Sequence, residues 1–370
     1  MLKIDCSFFK GDKPCDFNKN EGIVCDDCNH YKPISYKILI VKLDAIGDVL
    51  RTTSILKPLK KKYPDSYITW CTRESSKQLF SNNRLVDEII IVEDDAYYRL
   101  KTERYDQVIN LDTSKISSSI AAMANAETKT GFVLNERGFV EPTSENANVW
   151  LEMSAFDNLK QANDKSYQKI MYDILGFSDP IDKPQLFVPD EVINEISNRL
   201  LRSGLNKELK TIGLNVGIGP KWPSKGWPEK NWEHLILKLR NQNYNLLLLG
   251  GPEETKRIQN LKTKFPFLID TGTKNSIMEF AAIVDECDLV ITCDTFALHI
   301  ATAMGKKLIV LVGPTSAAEL YIYDNGVKLT PSVECKCYYK KNCFEEISCM
   351  EKITPDIVLK DIKTLLREII

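Results

Sequence analysis

The chain has 370 residues, of which 43% are hydrophobic and 27% charged, with a formal net charge of −2. That length exceeds what one hydrophobic core usually serves, so two α/β domains are expected. A near-neutral charge supplies no global field for nucleic acid, and no apolar run reaches the roughly 18 residues of a bilayer-spanning helix.

The first residues lack the apolar core of a signal peptide, which points to a cytoplasmic protein. Residues 1–35 read as a polar, loop-rich leader with Pro14 and Pro33, carrying Cys6, Cys15, Cys25 and Cys28. Lys37–Val41 is then a short apolar run of the kind that fills a buried parallel strand. The turn Asp44-Ala45-Ile46-Gly47-Asp48 follows, and a helical pattern runs from Val49 to about Lys62. Tyr67–Cys71, Glu88–Val92 and Gln107–Asp112 are further strand candidates, with helical stretches between them. This alternation predicts βαβ units and a parallel sheet, a first Rossmann-like domain over 36–180.

Pro180, Pro184 and Pro189 mark a linker, after which the pattern restarts over 181–334. Strands are expected at Thr211–Asn215, Asn245–Leu249, Leu268–Asp270, Leu289–Thr292 and Leu308–Val312. Helices fit Trp232–Gln242, Glu254–Lys264, Ser276–Val284 and Ala297–Met304. A second cysteine-rich segment and a final helix, about Pro355 to Ile369, occupy 335–370.

Four turns at the carboxyl ends of these strands could carry chemistry, since open α/β sheets bind ligands at that edge. In the first, Gly47 permits a tight strand-to-helix turn, and Asp48 could deprotonate an acceptor hydroxyl or simply cap the helix. It is not GxGxxG, which disfavours a nicotinamide dinucleotide. Asp112, at the end of a later strand, is a second carboxylate candidate for the base. The second turn runs from Asn215 to Glu229 and offers Gly217 and Gly219 for close backbone approach, with Lys221 and Lys225 as charges for phosphate. The third, Gly250-Gly251-Pro252-Glu253-Glu254, offers Glu253 to ribose hydroxyls. In the fourth, Asp294 and Thr295 open a helix whose free N–H groups suit a diphosphate, with His299 one turn inside. The bland alternatives are helix-terminal acids, solvated lysines and a packed histidine. Their joint placement is the stronger signal.

Ile38-Leu39-Ile40-Val41-Lys42-Leu43-Asp44-Ala45-Ile46-Gly47-Asp48-Val49, Lys225-Gly226-Trp227-Pro228, Asp294-Thr295 with His299, and Gly313-Pro314-Thr315 together resemble glycosyltransferase family 9, over about residues 36–370. That family contains the ADP-heptose:lipopolysaccharide heptosyltransferases. The resemblance implies a GT-B fold, two Rossmann-like domains facing a central cleft, and inverting transfer with no metal or other cofactor required for catalysis. By the same resemblance Asp48 is the general base, Lys225 the donor-phosphate lysine, Glu253 the ribose glutamate and Asp294 the donor-sugar aspartate. Thr295 and its neighbouring N–H groups become the diphosphate cradle. Asp44-Ala45 departs from the small hydroxyl residues common in heptosyltransferases. The implied donor is ADP-heptose, and the acceptor a hydroxyl of a cell-envelope glycan, a glycolipid such as lipopolysaccharide, or a protein. A nucleotide-sugar epimerase of the same fold and a non-catalytic, metal-bearing nucleotide-sugar-binding protein are the rival readings.

Eleven cysteines are many for a cytosolic chain. Cys71, Cys287 and Cys293 read as core thiols. The leader group, with its Cys25-Asp26-Asp27-Cys28 pair, and the terminal group Cys335, Cys337, Cys343 and Cys349 are candidate structural zinc or iron sites. Lys57, Lys60, Lys61 and Lys62 read first as a solvated helix face. Peripheral docking at the cytoplasmic face of the inner membrane is the functional alternative.

Overall fold

A computed structural model describes residues 1–219 and 221–366 of the chain. It divides into two compact units, each built on a six-stranded sheet. The first unit comprises Met1–Asp44, Ile55–Leu151 and Met171–Asp182. Its strands are β1 (Tyr36–Val41), β2 (Ser66–Thr72), β3 (Glu88–Ile91), β4 (Arg104–Asn110), β5 (Asn125–Leu134) and β6 (Val140–Pro142). They lie in the order β3-β2-β1-β4-β5-β6, parallel except for β6 against β5. Ile38 to Val41 are fully buried, as a central strand covered on both faces requires.

The second unit comprises Ala45–Ser54, Glu152–Ile170 and Lys183–Ile370. Its strands are β7 (Lys210–Asn215), β8 (Tyr244–Leu249), β9 (Ile269–Asp270), β10 (Leu289–Cys293), β11 (Lys307–Leu311) and β12 (Gly326–Leu329). All pair in parallel, in the order β12-β11-β10-β7-β8-β9. In each sheet the winding reverses beside the first strand, between β1 and β4 and between β7 and β10. Those switch points are where a doubly wound sheet opens a crevice at its carboxyl edge.

The second core gathers Ile212, Leu214, Leu246 and Leu248 beneath Trp227 and Trp232, whose rings meet edge to face at 4.9 Å. Cys71, Cys287 and Cys293 are buried, as expected. The last helix, Pro355–Leu366, packs on the helix Glu229–Leu239 and on β10 to β12. Its expected continuation to Ile369 lies outside the described residues, as does Pro220 of the β7 loop.

The expected helix from Val49 to Lys62 is divided into Ile46–Thr52, a 3₁₀ turn Thr53–Ile55, and Leu56–Lys62. Hydroxyl groups compete for the backbone here: Thr52 Oγ1 donates to Asp48 O and Thr53 Oγ1 to Leu50 O, each at 2.6 Å. The first segment belongs with the second unit because it packs on the helix Phe296–Ala303. Asp48 thereby joins the second unit's residues. Sequence reading passed over β5, β6 and the helices Glu145–Ala155, Asp157–Ala162 and Tyr167–Leu175. The polar, half-exposed pattern of β5 has neither strict alternation nor an apolar run.

Candidate active site

Asp48 sits in the first turn of Ile46–Thr52, one residue after Gly47. The cap of that helix is Ala45, so the carboxylate does not cap it. Instead Asp48 Oδ1 meets an Arg51 guanidinium nitrogen at 2.9 Å, with the aspartate side chain 34% exposed and the arginine 9%. The Arg51 guanidinium also lies 3.6 Å over the Tyr167 ring. Burial disfavours its charge, but Asp48, Tyr167, Glu319 and Asp294 outweigh that and hold the cation firmly. Arg51 thus orients a carboxylate that is one-third exposed.

The fourth turn lies directly beside it. Thr295 caps Phe296–Ala303 in extended backbone, leaving the helix N–H groups without a side-chain cap. Asn215, ending β7, donates to the hydroxyls of both Thr292 and Thr295, at 2.9 and 3.1 Å. The loops flanking the second switch point are therefore tied together. Asp294 Oδ2 accepts from Lys225 Nζ at 2.7 Å, and both side chains are less than one-fifth exposed. Burial opposes the charge on Asp294, yet Lys225, His299 and Arg51 overcome it and keep the carboxyl below its usual range. His299 is pushed down to about 4, first by burial and then by the Arg51 charge, against the pull of Asp294 and Asp48. It is a neutral imidazole at pH 7.

The Lys225 loop is held rigidly from behind. Trp227 is buried and donates its indole N–H to Ile353 O at 2.8 Å. Arg257 donates to Val216 O and to Trp227 O, at 2.8 and 3.2 Å. Lys221, by contrast, is exposed, so the structure places Lys225 rather than Lys221 in the cluster.

A pocket of about 340 Å³ opens among the loops after β7 and β8 and the helix starts at Ser276 and Thr295. Ile218, Phe280 and Phe296 supply apolar walls, and Asn215, Thr273 and Glu254 polar groups. Apolar walls with a few polar groups, at this size, suit a small ligand. Here the glutamate expectation shifts by one residue. Glu254, not Glu253, lines the pocket, while Glu253 is exposed. Glu254 accepts from Gly219 N at 3.1 Å and from Gly251 N at 2.9 Å, joining the second and third turns. A Cβ on Gly217 would come within 2.9 Å of the Glu254 carboxyl carbon, so a side chain there would push Glu254 from its place.

Asp112 belongs to the first unit, at that unit's own switch point. One of its oxygens pairs with Lys42, and the other accepts from Leu43 N at 2.7 Å, with the side chain buried. Those partners engage one lone pair on each oxygen and tie the carboxylate to the turn after β1. Lys60 and Lys61 pair with Asp87 and Asp179, and Lys57 lies 3.9 Å from Asp182. Three of the four lysines of the basic run thus face acidic partners. Among the described residues no helix is long and apolar enough to cross a membrane.

Sequence reasoning missed Arg51, Tyr167 and Glu319. Glu319 is buried, with Oε1 facing no hydrogen-bond partner among the described residues. Burial raises its carboxyl above the usual range, against the pull of Lys160 and Arg51.

The terminal cysteines converge. The sulfurs of Cys335, Cys337 and Cys349 lie within 4.8 Å of one another, and Cys343 neighbours Cys337. Burial pushes the Cys349 thiol up to about 12. Soft, clustered thiols of this kind can hold a metal ion. The same segment braces the Lys225 and Gly313 loops: Ser224 donates to Lys340 O at 2.6 Å, and Tyr339 N donates to Pro314 O at 2.8 Å. A Cβ on Gly313 would sit 3.0 Å from Cys349 Sγ.

The profile of glycosyltransferase family 9 (heptosyltransferase) matches residues 97–353. The chain belongs to that family. This glycosyltransferase is 26% identical over 306 residues to lipooligosaccharide heptosyltransferase 2 of Haemophilus influenzae, covering 75% of this chain and 84% of the relative. Among solved structures, a family 9 glycosyltransferase from Veillonella parvula superposes with a TM-score of 0.73 at 21% identity, covering 90% of this chain and 97% of that one. The E. coli heptosyltransferase WaaC, solved with ADP-2-deoxy-2-fluoro heptose, gives 0.60 at 18% identity over 89% of this chain and 99% of its own. The iron-containing dodecameric heptosyltransferase TibC, solved with ADP-D-β-D-heptose, gives 0.56 at 11% over 89% and 76%. These likenesses establish the GT-B fold that the motifs implied.

Proposed function

We propose that the chain is an inverting heptosyltransferase that moves heptose from ADP-heptose to a hydroxyl of a cell-envelope glycan or glycolipid. The observation that carries this reading is the grouping of the open, Arg51-oriented Asp48 carboxylate with Lys225, Asp294 and His299 beside an uncapped helix start. In this mechanism Asp48 removes the proton from the acceptor hydroxyl as its oxygen attacks the anomeric carbon. The bond from that carbon to the diphosphate oxygen breaks, and the electron pair leaves with ADP. Lys225 and the N–H groups at Thr295–Ala297 face the charge that builds on the departing phosphate. Asp294 orients Lys225 and is placed to meet the heptose hydroxyls, while the 340 Å³ pocket with Glu254 takes the nucleoside. His299 acts as a neutral packing and hydrogen-bonding group and does not serve as a cation.

Cys335, Cys337, Cys343 and Cys349 fit a zinc or iron ion as four thiolates. Such a site leaves no open position for substrate, so the ion would serve as a structural clamp behind the Ser224 and Pro314 loops. The lipooligosaccharide heptosyltransferase relative supports a glycolipid acceptor.

The deciding experiment incubates the protein with ADP-heptose and a heptose-acceptor lipopolysaccharide core, and follows ADP release with the anomeric configuration of the product. Acceptor-dependent ADP release with inversion is the expected result. Preference for a UDP-sugar, or donor turnover without acceptor, would overturn it.

A further inference from the structure

The leader of 35 residues is built around a hole. No residue from Met1 to Ser35 is buried, so this lobe has no hydrophobic core of its own. Its polar ties are exposed ones, such as Tyr31 Oη donating to Asp5 at 2.7 Å and Lys10 paired with Asp16 at the same distance. Contacts of this sort contribute little to stability. Segments this short usually fold only around a disulfide, a metal or a partner.

The lobe carries a half-open pocket of about 380 Å³, and all four leader cysteines line it. They arrive from three places in the local fold. Cys6 bridges antiparallel to Pro33, Cys15 precedes the short helix Asp16–Glu21, Cys25 opens a 3₁₀ turn and Cys28 closes it. Phe8, Phe17 and Ile23 complete the wall with apolar surface, and His30 stacks on Phe17 at 3.9 Å. Four thiols drawn from three segments and lining one pocket make a ligand arrangement.

The size of the gap selects the ligand. Around a single tetrahedral ion, with metal–sulfur bonds of about 2.3 Å, four sulfurs sit roughly 3.8 Å apart and leave no cavity between them. The terminal group already has that spacing, with Cys335 Sγ 3.5 Å from the sulfurs of both Cys337 and Cys349. Among the described residues, no three leader thiols approach within 4.8 Å of one another. We propose that Cys6, Cys15, Cys25 and Cys28 hold a polynuclear iron–sulfur cluster, one thiolate to each of four irons, and that this cluster is the missing core of the leader. Loading releases the four thiol protons, and the binding free energy becomes folding free energy of the lobe.

The test is to purify the full chain without oxygen and measure iron, zinc and acid-labile sulfide, before and after incubation with equal parts of ferrous and ferric iron and with sulfide. About four labile sulfides per chain are expected, with visible charge-transfer absorption. Cys15→Ser with Cys28→Ser should abolish both, while the thermal shift on adding ADP persists because the donor pocket lies in the other unit. Cys343→Ser with Cys349→Ser should leave the sulfide content unchanged, which separates this site from a mononuclear ion at the terminal group. Absence of labile sulfide in the reconstituted wild-type chain would overturn the proposal. So would one tightly held zinc lost on mutating Cys15 and Cys28, or sulfide that follows the terminal cysteines instead.

Discussion

The imidazole of His299 rests against the α-carbon of Gly47: a Cβ at position 47 would lie 2.5 Å from His299 Cδ2. Glycine in a helix interior normally costs up to about 1 kcal/mol relative to alanine. Here it is what lets the Asp48 helix lie against the helix carrying His299. Gly47→Ala should therefore destabilise the chain by about 1–3 kcal/mol, as overpacking does, and misplace Asp48. In a His299→Ala background the sign should reverse, and Gly47→Ala should be neutral or stabilising. Equal effects in both backgrounds, read by chemical denaturation, would show that the contact does not constrain the site.

Asp48→Asn keeps the shape and most of the polar contact of the side chain but cannot accept a proton. Transfer should fall at least a thousandfold, while the affinity for ADP measured by calorimetry stays within about twofold, a difference near 0.4 kcal/mol. Arg51→Met should also lower turnover, by letting the carboxylate swing away, with a smaller loss than Asp48→Asn. Normal turnover in Asp48→Asn would transfer the role of base elsewhere. Asp112 would first have to shed Lys42 and Leu43 N to take it.

The proposed function gives Lys225 two duties, and a substitution separates them. On that reading its removal takes a positive charge from the donor diphosphate, and it leaves Asp294 without its ion-pair partner in a largely buried position. Breaking such a pair costs about 3–5 kcal/mol. Lys225→Ala should thus weaken ADP binding, slow transfer and lower stability together. Lys225→Ala with Asp294→Asn should recover much of the stability but neither the affinity nor the rate. If the double variant regained ADP affinity, Lys225 would be a structural partner of Asp294 and no phosphate ligand.

How much of this was legible in the sequence follows from the physics of each feature. The strands of the second unit are apolar runs because both faces are covered, and Lys210–Asn215 and Leu289–Cys293 match their expected positions to within a residue. Glu254 was harder to see, since only side-chain direction distinguishes it from Glu253, and that depends on the 3₁₀ turn Pro252–Glu254. Arg51 meets Tyr167 and Glu319 across more than a hundred residues of chain, and no local pattern announces such a meeting. The leader's grouped cysteines pointed to metal, but the pocket they line, on which the cluster proposal rests, exists only in three dimensions.

The depressed His299 titration gives a pH prediction with a definite sign. Unfolded, the imidazole titrates near 6.5; folded, at about 4. Between those values the unfolded chain binds the extra proton, so stability falls as pH drops from 6.5 and the loss levels off below 4. At pH 5 the penalty is on the order of 1–2 kcal/mol, and above pH 7 it is absent. His299→Gln should flatten this part of the stability profile, and no His299 inflection should appear in turnover between pH 6 and 8. A turnover profile of the parent protein with an inflection near 6.5 that vanishes in His299→Gln would show a catalytic proton on His299.

The terminal cysteines supply the final prediction. They do not line the donor pocket, yet their segment holds the Lys225 loop through Ser224 and the Gly313 loop through Tyr339. A clamp should act on affinity and stability and leave the chemical step alone. Cys343→Ser with Cys349→Ser should therefore lose the bound zinc or iron, lower the melting temperature, and weaken ADP binding several-fold. Turnover at saturating donor should stay within about threefold, a change of roughly 0.6 kcal/mol in the barrier. EDTA added to the intact protein should leave turnover unchanged while the thiolate-bound ion stays in place. Elemental analysis alongside steady-state kinetics reads all of these together. If removing the ion abolished turnover at saturating donor while ADP still bound normally, the metal would be acting on the reaction itself, and the clamp would be the wrong description.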